Sequence, residues 1–492
     1  MPRNNQTGDE LVLFNGVSGI DGSYPFPLTT VADLAALGRK EPLDRSFLEK
    51  LQRWLRDSLG IFRDVRDGFS PLNLGETGWG VIFPRGGDPR TREALRPLLD
   101  WRKEKAASIE EGRYRELWGE DGYVRGESMR DFLLRHSAEL GAADPRRMPY
   151  YLLLVGGPDE IPFSFQYDLD VRYAVGRLDL GGPRECAAYA ESVVAAEKAW
   201  DGSPPAAERH MTLFCPSNSD KASLRLREEL VGGLINRLSG NSRPEWSLDS
   251  VLDDDATREG LCALLEGETP DVLFTACHGL TFPSGHPLQR EKQGALYCQS
   301  RVGAAPLETS VSAAEISDRA RVHGLIAFQF ACYSAGTSEL DDFAREKKVR
   351  EADQPFTARL PQRLLSHPNG GALAVIGHVS RAWTYSFSGF GNAPHLNTFE
   401  DVFRRILRGE TVGRALELFN FRHAEMAAEL LNLQEREELE AEAGNRDAEL
   451  ALLYCAAKDA RNYVVLGDPA VRLQPVPVSP QHAMEGRPNG QS

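Results

Sequence analysis

The sequence predicts an α/β protein built on a doubly wound, mainly parallel sheet flanked by helices. Two observations carry this. Tyr150-Tyr151-Leu152-Leu153-Leu154-Val155 is a short run apolar on both faces, and such strands belong to parallel sheets covered by helices. Strand-like runs at 211–215, 271–276, 325–331, 372–376 and 463–466 are interspersed with helical patterns, notably 223–238 and 256–265. That alternation marks the α/β class.

The chain has 492 residues, more than one hydrophobic core usually serves, and it reads as four stretches. Residues 1–75 form an N-terminal extension with a helical pattern over 44–59. Residues 76–147 read as a smaller α/β subdomain. Within it, Gly80-Val81-Ile82-Phe83 is a buried strand, and 91–105 is an amphipathic helix interrupted or started at Pro97. A further helix over 129–140 places Phe132, Leu133 and Leu134 near its buried side. Residues 148–474 form the main domain, with a helical insertion over 398–460 whose charged run 434–442 reads as a solvated face. The tail 475–492 is rich in proline and is expected to be disordered.

Bulk composition narrows the function classes. The net charge of −15, from 72 acidic and 57 basic residues, argues against a nucleic-acid surface. No apolar run approaches the roughly 20 residues of a membrane span, and residues 1–22 lack the apolar core of a signal peptide. A cytoplasmic location is the expectation. The seven cysteines are odd in number and scattered, as in Leu213-Phe214-Cys215 and Leu453-Tyr454-Cys455, so they read as buried reduced thiols. Neither zinc-site spacing nor a calcium loop is present, so no metal or other cofactor is expected.

The chemistry gathers at two strand ends. Asp271 to Ala276 runs into Cys277-His278-Gly279, and Leu325 to Ala331 runs into Cys332-Tyr333-Ser334-Ala335-Gly336. In an open parallel sheet, functional groups collect at carboxyl ends of strands. A thiol nucleophile needs a base with a pKa near neutrality, which imidazole supplies. Glycine straight after the histidine lets backbone approach a substrate carbonyl. Cys332 is therefore the candidate nucleophile and His278 the candidate base. The N–H groups of Gly279 and Cys332 are candidates for an oxyanion hole.

These strand ends resemble the His-Gly and strand-end cysteine motifs of caspase-like peptidases, most closely the gingipain type. The spacing agrees, His278 preceding Cys332 by 54 positions, near the separation of about 50 known for caspases. Four further stretches resemble that type: Tyr151 to Val155 leading to Gly156-Gly157-Pro158-Asp159-Glu160-Ile161-Pro162; Asp170-Val171-Arg172-Tyr173 with Val175-Gly176-Arg177-Leu178; Gly370-Gly371 through Trp383; and Val464 through Gly467-Asp468-Pro469 to Leu473. The likeness spans roughly residues 76–474 and implies a caspase-like α/β fold and cysteine peptidase activity. It carries the family's acidic third group onto Glu160, and its specificity-pocket aspartate onto Asp170, with Asp168 as an alternative and Trp383 as a pocket wall. A carboxylate there implies cleavage after Arg or Lys.

The resemblance also implies a protein substrate, restraint by an activating protein or ligand or by self-cleavage, and a bacterial setting such as antiviral defence. The basic stretch Arg345 to Arg350 is a candidate self-cleavage loop. No nucleic-acid or membrane partner is expected. Departures from the family include the missing secretion signals and Cys277, which reads as a buried thiol. His286 and Ser334 stand as weaker alternatives for base and nucleophile. A catalytically silent caspase-like scaffold or binding protein is the rival reading. A nucleotide site at Val155-Gly156-Gly157-Pro158 is disfavoured, lacking both GxGxxG and a Walker lysine.

Overall fold

The computed structural model describes residues 10–24, 29–40, 69–138, 143–200, 208–239, 246–301, 303–344, 349–388, 395–439 and 446–474. The helix expected over 44–59, most of the stretch 345–350 and the tail 475–492 lie outside the described residues.

In chain order the first strands are β1 (Leu11–Val12), β2 (Gly16–Ser18), β3 (Thr29–Thr30), β4 (Trp79–Ile82), β5 (Tyr114–Leu117) and β6 (Tyr151–Val155). Next come β7 (Ala174–Leu178), β8 (Arg209–Cys215), β9 (Trp246–Leu252), β10 (Val272–Ala276), β11 (His278–Thr281) and β12 (Leu296–Tyr297). The last are β13 (Ser310–Val311), β14 (Ile326–Phe330), β15 (Gly336–Thr337), β16 (Phe356–Thr357), β17 (Ala374–His378) and β18 (Tyr463–Gly467).

Ten of these form one sheet, ordered β5-β4-β6-β7-β18-β17-β14-β10-β8-β9. Every pairing in it is parallel except β17 with β18. Two five-stranded parallel halves therefore run in opposite directions. Because His378 pairs with Tyr463, the carboxyl end of β17 shares an edge of the sheet with the amino ends of β18 and β7. The inner strands β6, β7, β10, β14, β17 and β18 are buried along their whole length. This is the helix-covered α/β architecture that their two-sided apolar text predicts.

The structure departs from expectation in four places. The sheet is not divided near residue 148, because β4 pairs with β6 from Trp79↔Tyr151 to Ile82↔Leu154 and both contribute to one core. The strands β5 and β9 carry no strand-like text, since both lie at sheet edges where charged side chains reach water. The pattern over 91–105 is two helices, Pro89–Ala94 and Arg96–Ala106, with Pro97 in the first turn of the second, where its missing N–H costs nothing. In the helix Met129–Arg135, Phe132 and Leu133 are buried but Leu134 is 55% exposed. Three consecutive residues sweep roughly 200° of a helix and cannot all face one core.

The insertion folds as helices Asn397–Leu407, Val412–Leu439 and Asp447–Arg461, the last buried on nearly every side. The N-terminal extension docks on it. Its helix Val31–Lys40 packs Gly38 against Tyr454, and Arg39 pairs with Glu437 and Asp447. Ahead of this helix, β1 pairs with β3, and β2 joins a small sheet ordered β13-β12-β11-β2. The extension thus reaches the strand that begins at His278. No helix among the described residues is long and apolar enough to cross a membrane.

Candidate active site

Three adjacent strands, β14, β10 and β8, deliver side chains to one edge of the sheet. Cys332 follows β14 by two residues, and Tyr333 turns the chain there with a φ of 58°, a conformation uncommon outside glycine. His278 opens β11 just after β10 ends at Ala276. Asp220 lies five positions beyond the end of β8 and caps the helix that starts at Lys221.

Asp220 is the carboxylate that holds His278. The histidine Nε2 lies 3.0 Å from each Asp220 oxygen. Asp220 also accepts from the N–H groups of Ala222 and Ser223, both at 3.0 Å, and from Ser223 Oγ at 2.7 Å. Burial alone would raise its carboxyl. The hydrogen bond and charge of His278, with the Ser223 donors, outweigh burial and hold it well below the usual carboxylate range. A carboxylate only accepts, so Nε2 is the donor, and in the neutral form of the ring Nδ1 is the nitrogen left to accept a proton. Nδ1 is buried and has no hydrogen-bond partner among the described residues.

Gly279 seats this turn directly against the nucleophile candidate. A methyl group there would lie 1.9 Å from the Cys332 carbonyl oxygen, so only glycine fits. The N–H groups of Gly279 and Cys332 converge on one acceptor, the carbonyl oxygen of Asn15, at 3.0 and 3.1 Å. Two backbone donors aimed at one oxygen beside a thiol have the geometry of an oxyanion hole. The Cys332 thiol is fully buried and accepts from the Ala382 N–H at 3.2 Å. Burial pushes its pKa well up, so the thiol is neutral while covered.

The segment that covers it is the N-terminal extension. Leu13 to Asn15 lies antiparallel to Ala382 to Thr384, with hydrogen bonds from Asn15 N to Ala382 O at 2.8 Å and from Thr384 N to Leu13 O at 3.0 Å. Trp383 is fully buried and meets Phe14 edge-on at 5.4 Å between ring centres. Its backbone N–H donates to Asp459 at 2.9 Å.

The remaining candidates lie elsewhere. Glu160 does not touch His278. It follows β6, whose carboxyl end lies level with the amino end of β17, at the opposite edge of the sheet from Cys332. It lines an open cavity of about 770 Å³ that runs from Arg85 and Asp159 to Arg350, Asp342 and Arg461, and burial raises its carboxyl. Asp170 is buried near Arg177, accepts from the Val175 N–H and is capped by Asn420, which donates to its carbonyl. Burial pushes its carboxyl well above the usual range, outweighing the Val175 N–H and the charge of Arg177. No described contact joins it to Asn15, Trp383 or Cys332. Asp168 is exposed, near Arg461 and Arg172. His286 stacks on Phe282, Ser334 donates to the Gln329 carbonyl, and Cys277 is buried.

Sequence reading missed Asp220 and Asn15. Asp220 had a signal, standing just past the end of a third apolar strand and opening a helical pattern. Asn15 had none, since the short apolar run Leu11 to Phe14 that it closes lies 264 positions from Gly279.

No family model and no curated protein matches the chain. Among solved structures it is similar to a protease at 12% identity and a TM-score of 0.45, covering 82% of this chain and 80% of that one. It is similar also to the complex of Porphyromonas gingivalis RgpB pro- and mature domains, at 11% identity, a TM-score of 0.43 and coverage of 82% and 81%. A third likeness is to the Saccharomyces cerevisiae separase–securin complex, at 9% identity and a TM-score of 0.31, over 65% of this chain and 15% of that one. At these scores the likenesses assign no residue a role, and the site rests on its own geometry.

Proposed function

We propose that the chain is a cysteine endopeptidase in which Cys332 attacks a peptide carbonyl and His278 moves the proton. Asp220 holds the imidazole by Nε2 and keeps the Nδ1 lone pair available. The N–H groups of Gly279 and Cys332 receive the oxyanion, and water hydrolyses the resulting thioester. The observation that carries this reading is the convergence of those two N–H groups on a peptide oxygen, beside the Cys332 thiol and the turn that bears His278. The preference for Arg or Lys implied by Asp170 draws no support from this geometry, because that carboxyl is buried beside Arg177 and no described contact joins it to Asn15, Trp383 or Cys332.

The test is hydrolysis of fluorogenic peptides ending in Asn, Arg, Lys, Asp or Leu by the wild type, Cys332→Ala and His278→Ala. Turnover by the wild type that both substitutions abolish supports the dyad. Turnover that survives Cys332→Ala sinks it.

A further inference from the structure

The extension does more than shield the thiol, for it lies across the site as a peptide substrate would. The carbonyl of Asn15 occupies both oxyanion donors. The following residue, Gly16, stands so close to the nucleophile that a methyl group on it would lie 3.1 Å from Cys332 Sγ. Backbone pairing holds the chain on either side of that bond: Leu13 to Asn15 against Ala382 to Thr384, and β2 against β11 from Gly16↔Gly279 to Thr281↔Ser18. Of all peptide bonds near Cys332, Asn15–Gly16 has its oxygen in the hole.

We infer that Asn15–Gly16 is a self-cleavage bond, and that the subsite holding Asn15 selects asparagine before the scissile bond. This rests on the peptidase reading above. The Asn15 side chain is completely buried, and its amide Nδ2 donates to the Ala382 carbonyl at 3.4 Å while Oδ1 has no partner among the described residues. A buried unpaired amide oxygen costs roughly 1–3 kcal/mol, so an apolar residue would serve better if the segment only filled space. The polar group that meets the side chain is a neutral carbonyl. An amide donates to it without carrying a charge into the buried site, as a guanidinium or ammonium would. Glycine at 16 has its own reason, because any side chain would press on the thiol.

The step balances with water alone. The Cys332 sulfur bonds to the Asn15 carbonyl carbon, and the Asn15–Gly16 C–N bond breaks. The thiol proton passes through His278 to the Gly16 nitrogen, which leaves as an amine. Water then cleaves the thioester, leaving a carboxylate on Asn15 and restoring the thiol. Release of the segment through Asn15 opens the donors to another peptide.

The experiment is intact-mass measurement and N-terminal sequencing of the full chain during incubation, with parallel assay of peptides ending in Asn, Arg or Lys. The expected result is a new N-terminus at Gly16 in the wild type and none in Cys332→Ala, which also controls for spontaneous chemistry at an Asn-Gly bond. Asn15→Ala is expected to slow the cut at least 10-fold, and peptides ending in Asn to be hydrolysed at least 10-fold faster than those ending in Arg or Lys. Cys332-dependent peptide hydrolysis by a chain that keeps residues 1–15 overturns self-cleavage and leaves the peptidase standing. A preference for Arg or Lys overturns the asparagine subsite. Absence of both chain cleavage and peptide hydrolysis overturns the peptidase reading itself, and this inference with it.

Discussion

The two halves of the sheet share strand number and parallel pairing, yet the charge network at the core of one and the candidate site at the edge of the other treat their buried polar groups in opposite ways. In the β5-β4-β6-β7-β18 half, Arg102 is buried between Glu197, at 2.6 and 2.7 Å, and Asp468, at 2.5 Å. Trp101 donates to Glu197, Trp79 donates to Asp468, and the Asp468 N–H donates to Tyr189, whose hydroxyl donates onward to the Leu373 carbonyl. Each of these charges is answered. In the β17-β14-β10-β8-β9 half, His278 Nδ1, Asn15 Oδ1 and Trp383 Nε1 are buried without partners among the described residues. A saturated network fixes one arrangement and resists change. Groups with unspent valences cost stability, and such groups gather where chemistry is done.

Substitutions can break this contrast. The largest effect on activity is expected from Cys332→Ala or His278→Ala, each lowering peptide turnover at least about 10³-fold while shifting the melting temperature by only a few degrees. Arg102→Met is expected to do the reverse. It strands two buried carboxylates and costs roughly 3–5 kcal/mol in denaturant unfolding, with turnover per folded molecule unchanged. A turnover loss in Arg102→Met beyond its folded fraction would show that the halves are not separable. Asp220→Asn is expected to lower turnover roughly 10²-fold with little change in KM. Glu160→Gln and Asp170→Asn are expected to change turnover and peptide preference less than about 2-fold, within ordinary variation for positions outside the reaction. A larger loss from Glu160→Gln than from Asp220→Asn would reverse the assignment of the acidic partner.

Proton linkage sharpens the same comparison. Glu351 is buried beneath the site, accepting from Tyr333 at 3.0 Å and Ser380 at 2.7 Å, and burial with the nearby charge of Asp341 raises its pKa to about 8. A raised carboxyl binds its proton more tightly in the folded state. Its stabilisation is therefore complete below the ordinary value of 4.5 and is lost as pH rises towards 8. Asp220 has the opposite sign. Its contribution is present above the ordinary value of 3.8 and is lost as pH falls below it. Denaturation midpoints measured across pH should fall between about 4.5 and 8, and Glu351→Gln should flatten that fall. A slope unchanged by Glu351→Gln would remove this residue from the account.

Much of the sheet was legible because inner parallel strands announce themselves. Tyr151 to Val155 is apolar at every position and Ile326 to Phe330 at every position but Gln329, since helices cover both faces. The edge strands were not legible, because one open edge lets polar residues such as Asp249 and Ser250 stand in water and erases the pattern. At the site, Cys332 and His278 could be picked out because each directly follows an apolar strand. Glu160 makes no described contact with His278 for a topological reason. Its strand belongs to the half that runs the other way, so its carboxyl end faces the wrong edge, and strand direction is not written in a strand's own residues.

By itself, then, the sequence determined what depends on near neighbours: the α/β class, the buried strands, and a thiol and an imidazole at strand ends. Tertiary structure alone decided which distant groups meet them. Asp220 reaches His278 across 58 positions, and Asn15 reaches Ala382 across 367. Both contacts depend on strand order and direction, which are set by how the whole set of apolar faces is buried at once. No local run of residues contains that information.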